Sequence, residues 1–263
     1  MTTVGGQLAA GLLPPERGHP LVSRPVDGFR LAYDRCGTGP AVVLLHGGHG
    51  DRTDWTDVAV SLRGTVVAPD LRGVGESDRW SAGDVSVPAQ ARSVAGLIDE
   101  LRIGSVVVAG YGIGAAVALE LATRRPGRVS GLVITPPPAV PPRATAGPLR
   151  EVLARAWTRW SGPNVVDLST RLDHLVTQSD RRLMRMSAPL GRGDVVTIPT
   201  TILWPLLDPL VRPSFFDRLS DRFTRVTVRG LPGVGHFVPV EQPRALVGAI
   251  HEMIEGRRAR HAS

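Results

Sequence analysis

The chain has no lysine. All of its 31 basic residues are arginine, set against 24 acids, so 263 residues carry a formal net charge of +7. The exclusive use of arginine reads as base composition of the gene rather than function. The arginines are spread along the chain with acids between them, and only the tail "EGRRARHAS" gathers them. A nucleic-acid surface needs a basic stripe interleaved with aromatics. Aromatic residues make up only 5% of this chain, and the pattern predicts no nucleic-acid partner. A single cysteine, Cys36, excludes a disulfide within the chain and fits a reducing compartment. No apolar run reaches the roughly 18 residues of a membrane span. The start, "MTTVGGQLAAGLLPPERGHP", lacks the positive region and sustained apolar core of a secretory signal. A soluble, cytoplasmic protein is the expectation, with an irregular arm over 1–21. No repeat is visible, and the sequence predicts no oligomeric state.

What is present is a large apolar fraction, 42%, arranged in alternating elements. "FRLAYDRCG" alternates and reads as an early strand over 29–36, one of an antiparallel pair. "AVVLLHGG" is a continuous apolar run stopped by glycines, as expected of a strand buried on both faces. "RTDWTDVAVSLRG" predicts a short helix and "TVVAPD" another buried strand. The next helix places Ala91, Val94, Leu97, Ile98 and Leu101 on one side. A strand, a glycine-rich turn and a helix over 113–125 follow, then a strand over 129–135. This alternation predicts a mostly parallel sheet with helices on both faces.

The alternation stops at "PPPAVPPRATAGP", whose prolines suit neither a helix interior nor a central strand. Leu149, Val152, Leu153, Ala156, Trp157 and Trp160 then recur at helical spacing. A helical insertion over 137–193 is expected. Beyond it the α/β pattern returns: a strand in "TIPTTILWPLLD", a helix in "RPSFFDRLSDRF", a strand in "TRVTVRG" and a closing helix before a flexible tail over 257–263. The core thus comprises 22–136 and 194–256.

Five stretches, in order, carry chemistry. They are "LLHGGHGDRTDW", "PDLRGVGESDR", "AGYGIGAAVALELATRRPGRV", "PTTILWPLLDPLV" and "VGHFVPVEQPRAL". Together they resemble the α/β-hydrolase superfamily, in its branch of epoxide hydrolases and haloalkane dehalogenases, over about 27–256. The resemblance implies the α/β-hydrolase fold with a small helical cap. Gly110-Tyr111-Gly112-Ile113-Gly114 is similar to the nucleophile elbow G-x-S-x-G, which puts Gly112 at the nucleophile position. It also implies Asp208 as the acid, His236 as the base, and the N–H groups of Gly48 and Ile113 as the oxyanion hole. Two departures stand out. Pro205 replaces a glycine before the acid, and Gly112 has no side chain to attack with. The only tyrosines are Tyr33 and Tyr111, so the cap tyrosines that polarise an epoxide in the epoxide hydrolases have no counterpart.

The residues themselves agree. Asp208 can accept from one imidazole nitrogen of His236 and fix its tautomer. The other nitrogen then faces the elbow. Helix-start N–H groups can stabilise a developing oxyanion. Other residues keep two readings. His49 either reaches a ligand or sits in a solvated loop. Tyr111 either donates into the pocket or packs. Trp157 and Trp160 either line the substrate pocket or pack the cap. His46 reads as a structural strand-end residue.

The function expected is general-base chemistry (elimination, cyclisation or direct water attack) on a small apolar or aromatic molecule, with no metal or cofactor. A non-catalytic binding protein stays open, as does an ordinary hydrolase whose nucleophile was replaced by glycine.

Overall fold

The computed structural model describes residues 19–48, 50–79, 83–135, 195–208 and 222–262. Eight strands form one sheet: β1 Leu21–Val22, β2 Ala32–Cys36, β3 Ala41–Leu45, β4 Thr65–Pro69, β5 Val106–Gly110, β6 Val129–Ile134, β7 Thr200–Pro205 and β8 Val226–Leu231. Their order is β1-β2-β4-β3-β5-β6-β7-β8. β1 pairs antiparallel with β2 and β2 with β4, while all later pairs are parallel.

The continuous apolar runs of β3 and β5 are buried along their whole length. Alternate residues serve opposite faces. Val43, Leu45, Val106 and Val108 pack in one core with Val94, Leu97 and Ile98 of α2 (Val87–Glu100) and with Ala115, Ala118 and Leu119 of α3 (Ile113–Arg124). Val42, Leu44, Val107 and Ala109 pack in the other core with Val58 of α1 (Thr56–Ser61) and with Leu246, Ile250 and Ile254 of the closing helix. Each buried Val, Leu or Ile side chain contributes about 1.5–3 kcal/mol. Two covered faces therefore explain why these strands read as unbroken apolar runs.

The expected short helix is split. Arg52–Trp55 forms a 3-10 turn capped by Asp51, whose carboxylate accepts from the Thr53 N–H at 2.9 Å, and α1 follows. Two helices follow β8: the single turn α4, Val238–Glu241, and the long α5, Pro243–Ala262. α5 continues through Ala262, so the tail expected from 257 onward is helical for most of its length. Of the irregular arm expected over 1–21, residues 1–18 lie outside the described residues, while Leu21 already pairs with Tyr33 in β1. The insertion over 137–193 and the helix predicted in "RPSFFDRLSDRF", apart from its last two residues, also lie outside them. Among the described residues no helix is long and apolar enough to cross a membrane.

The "PDLRGVGESDR" loop is a scaffold. The buried Asp70 carboxylate accepts from the N–H groups of Arg52 and Glu76, both at 2.8 Å, and from the Arg52 guanidinium at 2.6 Å. Gly75 has φ +55°, and a Cβ there would overlap that carboxylate. Ser77 Oγ donates to the Asp70 carbonyl at 2.7 Å and accepts from the Ala32 N–H at 2.9 Å. Arg72 is buried, stacks over Phe29 at 4.6 Å, and donates to Ser93 Oγ, the Asp84 and Val26 carbonyls, and Asp27. Arg52, held by Asp70, Asp34 and Glu76, fixes the 3-10 turn that carries Asp54 and Trp55.

Candidate active site

Four loops converge at the carboxyl ends of parallel strands, where open α/β sheets place their ligands. They follow β3, β5, β7 and β8. After β5 the chain turns sharply into α3 at Gly112, with φ 54° and ψ −124°. L side chains adopt that positive φ only under strain. Gly112 takes it cheaply. Its neighbours Gly110 and Gly114 are glycine for space. A Cβ on Gly110 would overlap the first turn of α3, and one on Gly114 would overlap the Leu45 carbonyl.

His236 and Asp208 are both buried, at 3% and 7% exposure. His236 Nδ1 donates to Asp208 Oδ2 at 2.7 Å. With Nδ1 holding the proton, Nε2 is left as the acceptor. A Cβ built on Gly112 would lie 3.3 Å from Nε2 and 3.7 Å from Cε1 of that ring. The His236 ring therefore faces Gly112, with its tautomer set by Asp208. Pro205 does not disturb the acid loop. It closes β7 opposite Leu231, and the Leu206 and Leu207 N–H groups then donate to the carbonyls of Leu231 (3.2 Å) and Val234 (2.9 Å). These two bonds tie the acid loop to the histidine loop.

The Gly112 Cβ position is also 3.5 Å from Gly47 Cα. The Gly48 nitrogen is two bonds further, about 2.4 Å from that Cα by standard geometry. Ile113 is the first residue of α3, so its N–H has no acceptor inside the helix. The two amides expected to form an oxyanion hole thus belong to the two chain segments that meet here, one at the start of α3 and one next to Gly47.

Tyr111 is 1% exposed, and its hydroxyl donates to Asp54 Oδ2. Burial and the adjacent Asp54 carboxylate raise its pKa well above the usual phenol value. The ring packs edge-on against Trp55, at 5.9 Å, and His236, at 6.1 Å. A Cβ on Gly47 would overlap this ring, and one on Gly50 would overlap both the Tyr111 hydroxyl and Asp54. Of the two readings of Tyr111, the structure favours packing. The residue is a spacer between the elbow and the glycine loop, with its hydroxyl engaged behind that loop.

His46 ends β3 and is fully buried. Nδ1 donates to the Gly47 carbonyl at 2.7 Å, and Nε2 accepts from the Leu71 N–H at 2.9 Å. Burial lowers its pKa below 6.5, which keeps it neutral. It is structural, as expected. His49, Trp157 and Trp160 lie outside the described residues. Among the described residues no group of three or more His, Cys, Asp or Glu is placed to hold a metal ion. Sequence reasoning missed Asp54 and Glu241. Asp54 was hidden because its partner lies 57 positions away. Glu241 left a signal in "GHFVPVE", a carboxylate five residues beyond the histidine.

An eight-stranded, mostly parallel sheet with an elbow after β5, an acid after β7 and a histidine after β8 defines the α/β-hydrolase fold. Residues 42–249 match the Alpha/beta hydrolase family, and the chain belongs to it. It is similar to an uncharacterized protein of Mycobacterium tuberculosis, 40% identical over 113 residues, which cover 42% of this chain and only 33% of that protein. Over a longer span it is similar to haloalkane dehalogenase 2 of M. tuberculosis, 25% identical over 91% of this chain and 97% of that one. Among solved structures it resembles a thermophilic esterase from Thermogutta terrifontis, with TM-score 0.65 and 28% identity over 91% of this chain and 99% of the esterase.

Proposed function

We propose that the protein is an α/β-hydrolase-fold enzyme in which Asp208 and His236 act as a general base without a covalent intermediate. The substrate is a small, apolar or aromatic molecule, and the reaction is direct water attack, elimination or ring closure. The observation that carries this reading is the two-sided engagement of His236: Nδ1 on Asp208 at 2.7 Å, Nε2 directed at the elbow. A base oriented in this way abstracts a proton at Nε2 and returns it to the leaving group from the same atom. Gly48 and Ile113 are assigned as N–H donors to the charge that develops. Positioned acid–base catalysis contributes roughly 10²–10⁴-fold and one oxyanion donor about 2.7–4 kcal/mol. Those terms suffice for an activated substrate and fall short for a stable amide, where covalent attack is needed. Similarity to an esterase and a dehalogenase supports small-molecule chemistry.

Gly112 itself favours a second reading, a binding protein that keeps the pocket without turnover. Esters, epoxides, lactones and polycyclic aromatic ketones form the screen that separates the two. On the best substrate, His236→Ala is expected to lower turnover by about 10²–10⁴-fold, with near-ultraviolet circular dichroism unchanged. Turnover within about tenfold of the parent would remove His236 as the base. Saturable ligand binding with no turnover in either protein would establish the binding reading.

A further inference from the structure

The backbone around His236 is held by one side chain that lies outside the dyad. The Gly235 N–H donates to Glu241 Oε2 at 2.8 Å, and the Phe237 N–H donates to Glu241 Oε1 at 3.1 Å. One carboxylate thus takes the amides on either side of the histidine, one per oxygen. The approach explains the residue before the histidine. A Cβ on Gly235 would sit 3.0 Å and 3.3 Å from the two carboxylate oxygens, tighter than ordinary contact, so a side chain there would push the carboxylate back by a few tenths of an ångström. Glu241 ends α4, and its own N–H donates to the Phe237 carbonyl at 2.8 Å. The side chain therefore closes back over a single turn. Hydrogen bonds to an ionised acceptor are about twice as strong as neutral ones.

We propose that Glu241 is a positioning residue for His236, and the proposal rests on the dyad reading above. Fixing the two flanking amides fixes the direction of the His236 Cα–Cβ bond. That direction decides whether Nδ1 reaches Asp208 and Nε2 reaches the elbow. Asp208 alone restrains only the ring, because a 2.7 Å bond survives rotation of the loop if the carboxylate follows. Glu241 holds the other end of the lever. A side chain that merely capped α4 would stabilise a four-residue helix and leave the imidazole unchanged.

The test is proton NMR of protein labelled with ¹⁵N-histidine near neutral pH. The parent protein is expected to show one low-field imidazole proton that Asp208→Asn removes, the His236 Nδ1–H. In Glu241→Ala that proton is expected to exchange with solvent about tenfold faster or more, or to be lost, while the thermal midpoint still reports a folded protein. Glu241→Gln keeps one acceptor for two amides and is expected to fall between the two. Exchange in folded Glu241→Ala equal to that of the parent would reduce Glu241 to a helix cap. If Glu241→Ala does not fold, unchanged exchange in Glu241→Gln overturns the proposal in the same way. Absence of any Asp208-dependent proton in the parent is a different failure. It sinks the dyad itself, and with it the need to position one.

Discussion

Replacing Gly112 with serine tests whether the base, the elbow and the N–H donors are in catalytic register. The structure gives the geometry of the new side chain before it is made. Its Cβ would lie 3.3 Å from His236 Nε2 and 3.5 Å from Gly47 Cα. With a Cβ–Oγ bond of about 1.4 Å and a hydrogen bond of about 2.8 Å, that separation sets the angle at Oγ near about 100°, an acceptable if bent hydrogen bond. A hydroxyl fits the gap to the ring. The 3.3 Å approach is tight, so the ring must give by a few tenths of an ångström, which a loop side chain can do.

The cost lies in the backbone. At φ 54° a serine is strained by about 1–3 kcal/mol, and each kcal/mol lowers the melting temperature of a chain this size by about 2–4 °C. The gain lies in chemistry. A serine hydrolase stripped of its triad keeps roughly 10³–10⁴-fold over water from its oxyanion hole and binding alone, far below the intact enzyme. Gly112→Ser is therefore expected to raise the rate on p-nitrophenyl acetate by on the order of 10²-fold or more. A burst should precede steady state, and intact mass should show an acetyl adduct that Gly112→Ser combined with His236→Ala lacks. The parent's own turnover should fall, because the hydroxyl occupies space that a water or substrate group uses. A folded Gly112→Ser protein that never acylates would refute the register of base and oxyanion donors, and the binding reading would then lead.

Two further outcomes follow from buried polar groups near the site. Tyr111→Phe removes the hydroxyl that donates to Asp54 and is expected to lower unfolding free energy by about 1.5–3 kcal/mol, the range for a hydrogen bond to a charged group; urea denaturation measures it, and a loss under about 0.5 kcal/mol would mean that the bond does not hold the loop. His46 has a folded-state pKa below 6.5 because it is buried, so the unfolded chain binds its proton more readily. Its contribution is fully present above about pH 6.5 and is lost as pH falls from there toward the depressed folded value. The urea midpoint should decline below pH 6.5, and His46→Gln should flatten that decline. An unchanged slope in His46→Gln would assign the titration elsewhere.

The parallel core was legible in the sequence because it is buried on both faces. "AVVLL" and "VVVAG" are strands buried at every position, with alternate side chains in the two helix-covered cores. The dyad was legible because its two members follow strands that end in glycine and proline punctuation, at the places where a family resemblance expects them. The edges were harder. The segment 29–36 was read as one strand, but pairing starts only at Ala32. Val26 and Phe29 instead close a small turn on each other, with Asp27 and Gly28 at positive φ. The split of "RTDWTDVAVS" into a 3-10 turn and a helix depends on Arg52, held by three carboxylates from two distant segments. No local periodicity encodes such a partnership. Asp54 was unreadable for the same reason, since only the folded chain brings it to Tyr111.

Two buried histidines follow strands at this end of the sheet, and their environments separate scaffold from chemistry. At His46 the backbone uses both nitrogens, one donating to Gly47 and the other accepting from Leu71. No lone pair is left for a substrate, and protonation would break the Leu71 bond as well as charge a desolvated ring. At His236 the partner of Nδ1 is a carboxylate, and Nε2 is directed at Gly112. A facing carboxylate favours the charged form of an imidazole, whereas burial between two backbone partners opposes it. Both rings are more than nine-tenths buried, so burial does not decide the matter. The sign of the group on the far nitrogen does, and it makes His236 the better placed of the two for the general-base role proposed above.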